Sequence, residues 1–277
     1  MKELIEQAAR HGRVEVRMIC PHCGQGKTDK TLCINTVKAV GKCHRCSWTL
    51  KGDPPEHFSR QAVRQIESDR LERQRRRFEI ISRSLEPAKN KPPIQRYLAS
   101  RGLDLPKTPH LSYGDKVRFY RNSGRFVETP AMIGKMQGPD DNIVGLHITH
   151  IGPEGRKAFG HDSRRYCKYA DLRGSAIRLY PATHSLIVAE GIETALALHL
   201  IHGDPVWATT SASLLKAFEP PRYIERLIIA GDNDVNGVGQ TAAWSLHHRF
   251  KNKIECSVLI PDKDNCDWLD MFVQGAV

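Results

Sequence analysis

Two stretches of the sequence decide the fold: SLIVAEG at residues 185–191 and RLIIAGDND at residues 226–234. Each is a short apolar run that stops at acidic residues and glycine, a pattern typical of a buried parallel strand. Side chains that follow such strands lie at the carboxyl edge of the sheet, where α/β folds bind their ligands. The sequence therefore predicts that Glu190, Asp232 and Asp234 lie close together.

Carboxylates gathered at one place repel one another unless a divalent cation lies between them. Oxygen ligands favour Mg or Mn over zinc, and such a site is typical of enzymes of phosphoryl transfer. The alternative for the second stretch is an ordinary turn, because Asp and Asn before glycine are common turn residues.

The rest of residues 183–277 alternates between strand and helix patterns, which predicts a doubly wound α/β domain with a mostly parallel sheet. The final acidic segment, PDKDNCDWLDMF at 261–272, is expected to supply a further metal ligand. Strands are predicted at 185–189, 205–209, 226–230 and 254–260, and helices at 193–202, after Ser213 and at 238–250.

Four of the eight cysteines form two CxxC pairs, Cys20 with Cys23 and Cys43 with Cys46, separated by 19 residues. Two such pairs are the signature of a zinc ribbon, in which four thiolates hold one tetrahedral ion. A redox pair is the alternative. We predict a small β zinc ribbon in residues 1–58 with one structural zinc, and free thiols at the other four cysteines.

The charge is unevenly distributed along the chain. The net charge of the whole chain is +11, and by segment it is +4 in residues 1–58, +5 in 59–91, +7 in 92–182 and −5 in 183–277. Such a division favours a polyanionic partner that spans the basic segments and reaches the acidic site.

The middle of the chain divides into a basic helix and a basic α+β subdomain. Residues 59–91 are predicted to form a helical linker whose basic peak is RQRRR at 73–77, and 92–182 a subdomain with strands at TPAMIG (129–134) and NIVGLHITHI (142–151). The RQRRR run is either a nucleic-acid contact or simply a solvated helix face.

Several classes of protein are excluded by the sequence. No apolar run approaches the roughly 18 residues of a membrane span, and the N-terminus lacks the apolar core of a signal peptide, so a cytoplasmic location is expected. The GQGKT at 24–28 is not a Walker A loop, because its first glycine would have to be at position 21, which is Pro21.

The glutamate after the first strand, the DND after the third and the late acidic cluster together resemble the Toprim domain. The order of zinc ribbon, basic middle region and Toprim resembles the bacterial, phage and plasmid primase family. Within it, VAEGIETALAL (188–198) and the GDND loop are most similar to primase-like proteins of phages and mobile elements.

The resemblance implies a DNA primase that joins nucleotides with two or more Mg or Mn ions. It implies that Glu190 is a metal ligand or proton acceptor, that Asp232 and Asp234 hold metal, and that Asp267 is the late acidic ligand, with Asp264 as the rival. Candidate contacts to template or nucleotide are Lys157, Arg165, Lys168 and Arg173 before the Toprim segment and His44, Arg45 and Trp48 in the ribbon.

The expected partners are single-stranded DNA and NTPs. A separate replicative helicase is also expected, because no helicase domain follows the Toprim segment, and the expected setting is the cytoplasm of a bacterial or phage-infected cell. Two alternatives stay open: a Toprim nuclease, and a non-catalytic DNA-binding factor of replication or recombination.

Overall fold

A computed structural model describes residues 2–11, 15–24, 29–53, 60–120 and 125–275. The chain folds into two compact units, Met1–Arg73 and Gln74–Val277. The boundary falls inside a long helix, α2 (Arg60–Arg83), which lies within the segment 59–91 that was predicted to be helical.

The N-terminal unit is a small antiparallel sheet with one helix against it. The apolar side chains of Ile5, Leu32 and Ile34 are fully buried in its core. A core of this size holds a fold weakly unless a metal supports it. The elements are α1 (Lys2–Ala9), β1 (Glu15–Met18), β2 (Leu32–Asn35), β3 (Val40–Cys43) and β4 (Thr49–Lys51), with the strands in the order β1-β2-β3-β4.

The second unit begins with an antiparallel sheet in which every strand pairs with the next one along the chain. The strands predicted at TPAMIG and NIVGLHITHI are confirmed: the first extends beyond its motif on both sides, and the second is one residue shorter than its motif at each end. The elements are β5 (Glu86–Pro87), α3 (Pro92–Ala99), β6 (Leu111–Tyr120), β7 (Phe126–Gln137), β8 (Ile143–His150) and β9 (Arg164–Lys168).

The C-terminal half of α2 packs on this sheet. Ile81 belongs to the buried cluster that covers one of its faces, and Phe78 packs against that cluster. Two arginines of the RQRRR run are used in the same contact: Arg75 donates to the carbonyl of Tyr169 at 3.3 Å, and Arg77 to the carbonyl of Arg118 at 3.3 Å. These two cations therefore help to dock the helix.

The second sheet has the order β10-β12-β11-β13-β14, and all its pairings are parallel except that of β10. Its strands are β10 (Ile177–Arg178), β11 (Ser185–Ala189), β12 (Val206–Ala208), β13 (Arg226–Ala230) and β14 (Glu255–Leu259). The helices are α4 (Ile192–His202), α5 (Ala212–Lys216), α6 (Val238–Phe250) and α7 (Trp268–Val273).

Alternate residues of the central strands enter two different cores. Ile187 and Ile228 belong to one buried cluster, whereas Val188 and Ile229 belong to another. Both faces of the sheet are thus covered, as in a doubly wound fold. The predicted fold class is confirmed: a small β unit, an α+β subdomain and an α/β domain with a mostly parallel sheet. Among the described residues, no helix combines the length and apolar character needed to span a bilayer.

Candidate active site and metal centres

The acidic residues meet at one edge of the second sheet. β11 and β13 are parallel neighbours, and Ala189 pairs with Ala230 at their carboxyl ends. Glu190 is the next residue after β11, and Asp232 is the second after β13. The register alone therefore brings these two carboxylates out side by side, as the sequence predicted.

Asp232 carries the strongest signature of a ligand site. Burial raises its pKa to about 8, with further contributions from the negative charges of Glu190, Asp267 and Asp234. Its Oδ1 atom is buried and has no hydrogen-bond partner among the described residues. A buried carboxylate oxygen is costly unless something compensates it, so this atom is a candidate ligand for a cation.

The other two predicted carboxylates belong to the same group. Burial raises the pKa of Glu190, and the charge of Asp234 raises it further. The backbone N–H of Gly239, in the first turn of α6, donates to Oδ2 of Asp234 at 3.0 Å. A side chain at Gly239 would lie 2.6 Å from the carbonyl oxygen of Asp232, so only glycine lets α6 begin this close to the loop.

Asp267, rather than Asp264, lies with Glu190, Asp232 and Asp234, and these four carboxylates are called the acidic group. The charge of Asp267 raises the pKa of both Glu190 and Asp232, while the side chain of Asp264 is exposed. Asp267 is also the N-cap of α7, where its side chain accepts the N–H of Asp270 at 2.9 Å. The cap fixes the direction of the carboxylate.

The late acidic loop is attached to the GDND loop by Asn233, a residue to which the sequence reasoning assigned no role. The N–H of Asn233 donates to the carbonyl of Cys266 at 3.0 Å, and its amide donates to the carbonyl of Pro261 at 2.9 Å. The amide of Gln240 in turn donates to Oδ1 of Asn233 at 2.6 Å. Asn233 therefore holds two acidic segments in one arrangement.

This donor set fits a hard divalent cation. It consists of carboxylate oxygens, one of them buried and unpartnered, and burial together with their mutual repulsion raises the pKa of Asp232 and Glu190. Mg and Mn prefer such oxygen ligands, and a bound cation would remove the repulsion.

A second cluster of polar side chains lies beside these carboxylates. It was not predicted from the sequence. Glu193, in the first turn of α4, is 5% exposed and accepts a hydrogen bond from the hydroxyl of Tyr97. Its Oε1 lies 3.7 Å from Nζ of Lys157 and 3.8 Å from Nη2 of Arg164. Arg164 also interacts electrostatically with Glu190. The sequence did contain one signal of this cluster, because a glutamate inside the mostly apolar IETALAL segment indicates a buried charge that needs partners.

The four predicted cysteines form a cluster in the N-terminal unit. Their sulfur atoms all lie within 4.8 Å of one another. The Sγ atoms of Cys20 and Cys46 are 3.8 Å apart, and those of Cys23 and Cys43 are 3.5 Å apart. A tetrahedral zinc with bonds of about 2.3 Å places its sulfurs about 3.8 Å apart, so the cluster could hold one zinc ion.

The two CxxC turns are built alike. The N–H of Gly24 donates to the carbonyl of Cys20 at 2.8 Å, and that of Ser47 to the carbonyl of Cys43 at 3.1 Å. Burial alone would raise the pKa of Cys43, but backbone N–H groups and the Thr31 hydroxyl lower it to about 5, whereas burial and the neighbouring cysteines raise the pKa of Cys23. A thiolate is the form that binds metal.

The candidate contact residues of the ribbon have different surroundings. Arg45 makes a bidentate pair with Asp29 at 2.6 and 2.7 Å and donates to the carbonyl of Cys23 at 3.2 Å. Trp48 is partly buried against the ribbon core. His44 is exposed. Arg45 and Trp48 thus have structural contacts, and His44 faces solvent.

The basic residues before the Toprim segment also differ. Lys157 lies beside Glu193 as described above, Arg173 pairs with Asp171 at 2.6 Å, and Lys168 is exposed on β9. The side chain of Arg165 lies outside the described residues. Of the three whose side chains the structure describes, Lys157 is the one placed beside the acidic group, through Glu193.

The family comparisons match the second unit. Residues 185–276 match the model of the Toprim domain. This segment of the chain is a Toprim domain. It begins at β11 and includes all four carboxylates of the acidic group, so the Toprim resemblance is confirmed. Residues 72–179 match a second model, a domain of unknown function (DUF7146). No curated protein matches the sequence.

Several solved structures that are similar to the chain are primases. The primase fragment of the bacteriophage T7 primase-helicase protein has 14% identity and a TM-score of 0.45, over 94% of each chain. The Aquifex aeolicus primase (zinc-binding and RNA polymerase domains) has 14% identity and a TM-score of 0.46, over 98% of this chain and 79% of that one. The DnaG primase catalytic domain bound to ssDNA has 12% identity and a TM-score of 0.48, over 75% and 78%.

Proposed function

We propose that this protein is a DNA primase, a DNA-dependent RNA polymerase that makes short primers on single-stranded DNA. The observation that carries the proposal is the Toprim carboxylate group, in which the buried Oδ1 of Asp232 has no partner and the pKa of Asp232 is raised to about 8. A site that is electrostatically incomplete without cations is what two-metal nucleotidyl transfer uses.

Each carboxylate has a role in the proposed reaction. Glu190, Asp232, Asp234 and Asp267 would hold two or more Mg or Mn ions, which when bound neutralise the triphosphate and acidify the attacking hydroxyl. Glu190, whose pKa burial raises, accepts the proton of the primer 3′ hydroxyl. The hydroxyl oxygen forms a bond to the α-phosphorus, and the bond to pyrophosphate breaks.

The rest of the chain supports a polymerase more than a nuclease. A nuclease could use the same carboxylates, but it would have less use for a four-cysteine ribbon and a basic region of net charge +16 over residues 1–182. In the proposed primase, one structural zinc stabilises the ribbon, which helps to choose the start site. Exposed His44 and Lys168 contact the template, and Lys157, Arg165 and Arg173 lie along the path of template or nucleotide.

The proposed setting follows from the reaction. Primer synthesis needs an unwound template, so the natural partner is a replicative helicase on a separate chain, in the cytoplasm of a bacterial or phage-infected cell. NTPs are the second substrate.

The alternatives are separated by one set of variants. Glu190→Gln and Asp232→Ala should abolish synthesis and leave the affinity for single-stranded DNA within about twofold, since phosphate contacts carry that affinity. Template degradation by the wild-type protein, lost in both variants, would support the nuclease instead. If both variants kept the full biological activity of the wild type, the result would support a non-catalytic DNA-binding factor.

A further inference from the structure

An exposed pair of aromatic rings lies on the β6–β7 hairpin, outside the acidic group. Tyr120 and Phe126 are cross-strand partners, with ring centroids 5.8 Å apart and planes inclined by 55°. They are 48% and 47% exposed. Aromatic side chains are normally more buried, and two adjacent half-exposed rings form a surface that suits a binding partner.

The rings lie on the outward face of the hairpin because of the strand period. Along β6, exposed Arg118 and Tyr120 alternate with buried Val117 and Phe119. On β7, Phe126 pairs with Tyr120 and Glu128 pairs with Arg118, and directly paired residues share a face. The face therefore presents two rings beside a cation, while the opposite face enters the core.

Guanidinium groups frame the two rings. The Cζ atom of Arg118 lies 4.4 Å from the ring centroid of Phe126, and that of Arg77 lies 5.7 Å from the centroid of Tyr120. Arg118 also pairs with Glu128 at 3.0 Å, which holds its guanidinium in place. Arg125 is exposed directly before Phe126. The surface thus combines flat apolar faces with a positive surrounding.

We infer that Tyr120 and Phe126 form a stacking platform for unpaired bases of single-stranded DNA. Rings accept base faces of any sequence, and flanking arginines meet the phosphates. A duplex cannot use this surface in the same way, because its base faces are already stacked. The choice of DNA as the strand rests on the proposed function, whereas the stacking geometry stands on the rings and arginines alone.

The direct test is the affinity of the full chain for a labelled oligo-dT strand, measured without nucleotides over a series of salt concentrations. Tyr120→Leu and Phe126→Leu keep an apolar residue on the hairpin, and each should weaken binding by about tenfold. The slope of log affinity against log salt should not change, because no charge is removed. Arg125→Gln should instead reduce that slope by about one.

The matched control is Tyr223→Leu, since Tyr223 is 47% exposed and lies in the Toprim domain. Tyr223→Leu should bind oligo-dT like the wild type. The affinity for duplex DNA is expected to be weak, and it should be the same in the wild type and in all three aromatic variants. Three results would each overturn the platform. They are an unchanged affinity in Tyr120→Leu and Phe126→Leu, an equal loss of affinity in Tyr223→Leu, and no binding of single strands by the wild-type chain.

Further measurements identify the ligand that binds to the platform. A strand with 5-iodouracil should photocrosslink to Tyr120 or Phe126. Competition by an acidic peptide that equals that of oligo-dT would point to a protein partner and overturn the assignment. If Glu190→Gln still binds through the pair while no variant or wild-type protein makes primers, the platform stands and the proposed polymerase fails.

Discussion

The hydroxyl of Tyr97 on α3 donates a hydrogen bond to the buried carboxylate of Glu193 on α4. This bond joins the α+β subdomain to the Toprim domain inside one compact unit, and Lys157 and Arg164 add their charges to the same carboxylate. Arg164 interacts electrostatically with both Glu193 and Glu190. The cluster therefore connects the α+β subdomain to the sheet edge at which the proposed reaction occurs.

Glu193→Gln should lower the free energy of unfolding by about 1–3 kcal/mol. The substitution keeps an acceptor for Tyr97 but removes the charge that Lys157 and Arg164 face, and the partial exposure of these two cations moderates the loss. Tyr97→Phe is the control for the hydrogen bond and should cost about 1.5–3 kcal/mol. Urea unfolding of the three proteins measures both values, and an unchanged midpoint in Glu193→Gln would contradict the role of the charge.

Glu193 also predicts a loss of stability in acid. Burial alone would raise its pKa, but Arg164, Lys157 and the Tyr97 hydroxyl lower it to about 2. The folded protein then binds fewer protons at this site than the unfolded chain, so the stabilisation is complete above about pH 4.5 and is lost as pH falls towards 2. The melting temperature of Glu193→Gln should fall less steeply over this range, and identical slopes would refute the assignment.

Asp232→Asn should stabilise the metal-free protein by about 1–2 kcal/mol while abolishing synthesis. The reason is that the pKa of Asp232 is raised to about 8 by burial and by Glu190, Asp267 and Asp234, so its charge is unfavourable in the fold. Thermal melts at pH 8 measure this. Magnesium should raise the melting temperature of the wild type and much less that of the variant; an equal rise in both would place the ion elsewhere.

Cys20→Ser should remove the bound zinc and unfold the ribbon, since its sulfur is one of four within 4.8 Å. Cys33→Ser is the matched control, because Cys33 lies on β2 of the same unit but outside the cluster. Elemental analysis should give one zinc per wild-type chain and per Cys33→Ser chain, and none for Cys20→Ser. Zinc loss in both variants, or in neither, would contradict a four-cysteine site.

The sequence predicted the Toprim elements well because their signals are local. The runs at 185–189 and 226–230 and the helix at 238–250 agree with the observed bounds. A buried strand in a parallel sheet is continuously apolar and its end is marked by glycine, so neighbouring residues decide it. The register of β11 with β13 then follows from the fold class, which brings Glu190 to Asp232.

The contacts that the sequence did not reveal depend on tertiary packing or on strand register. Glu193 meets Tyr97 across 96 positions, and no local pattern shows that pairing. Arg75 and Arg77 were predicted from charge alone as a nucleic-acid contact or a solvated face, but which arginines a helix turns towards a sheet depends on the sheet. Tyr120 and Phe126 become a pair only through the hairpin register.

The measurement that tests the proposed primase most directly is the incorporation of labelled NTPs by the wild-type chain on single-stranded DNA of defined sequence, with Mg or Mn. We predict short RNA products whose base composition is complementary to the template and which are absent with Asp232→Ala. Shortened template without new RNA, or full synthesis by Asp232→Ala, would contradict the primase assignment.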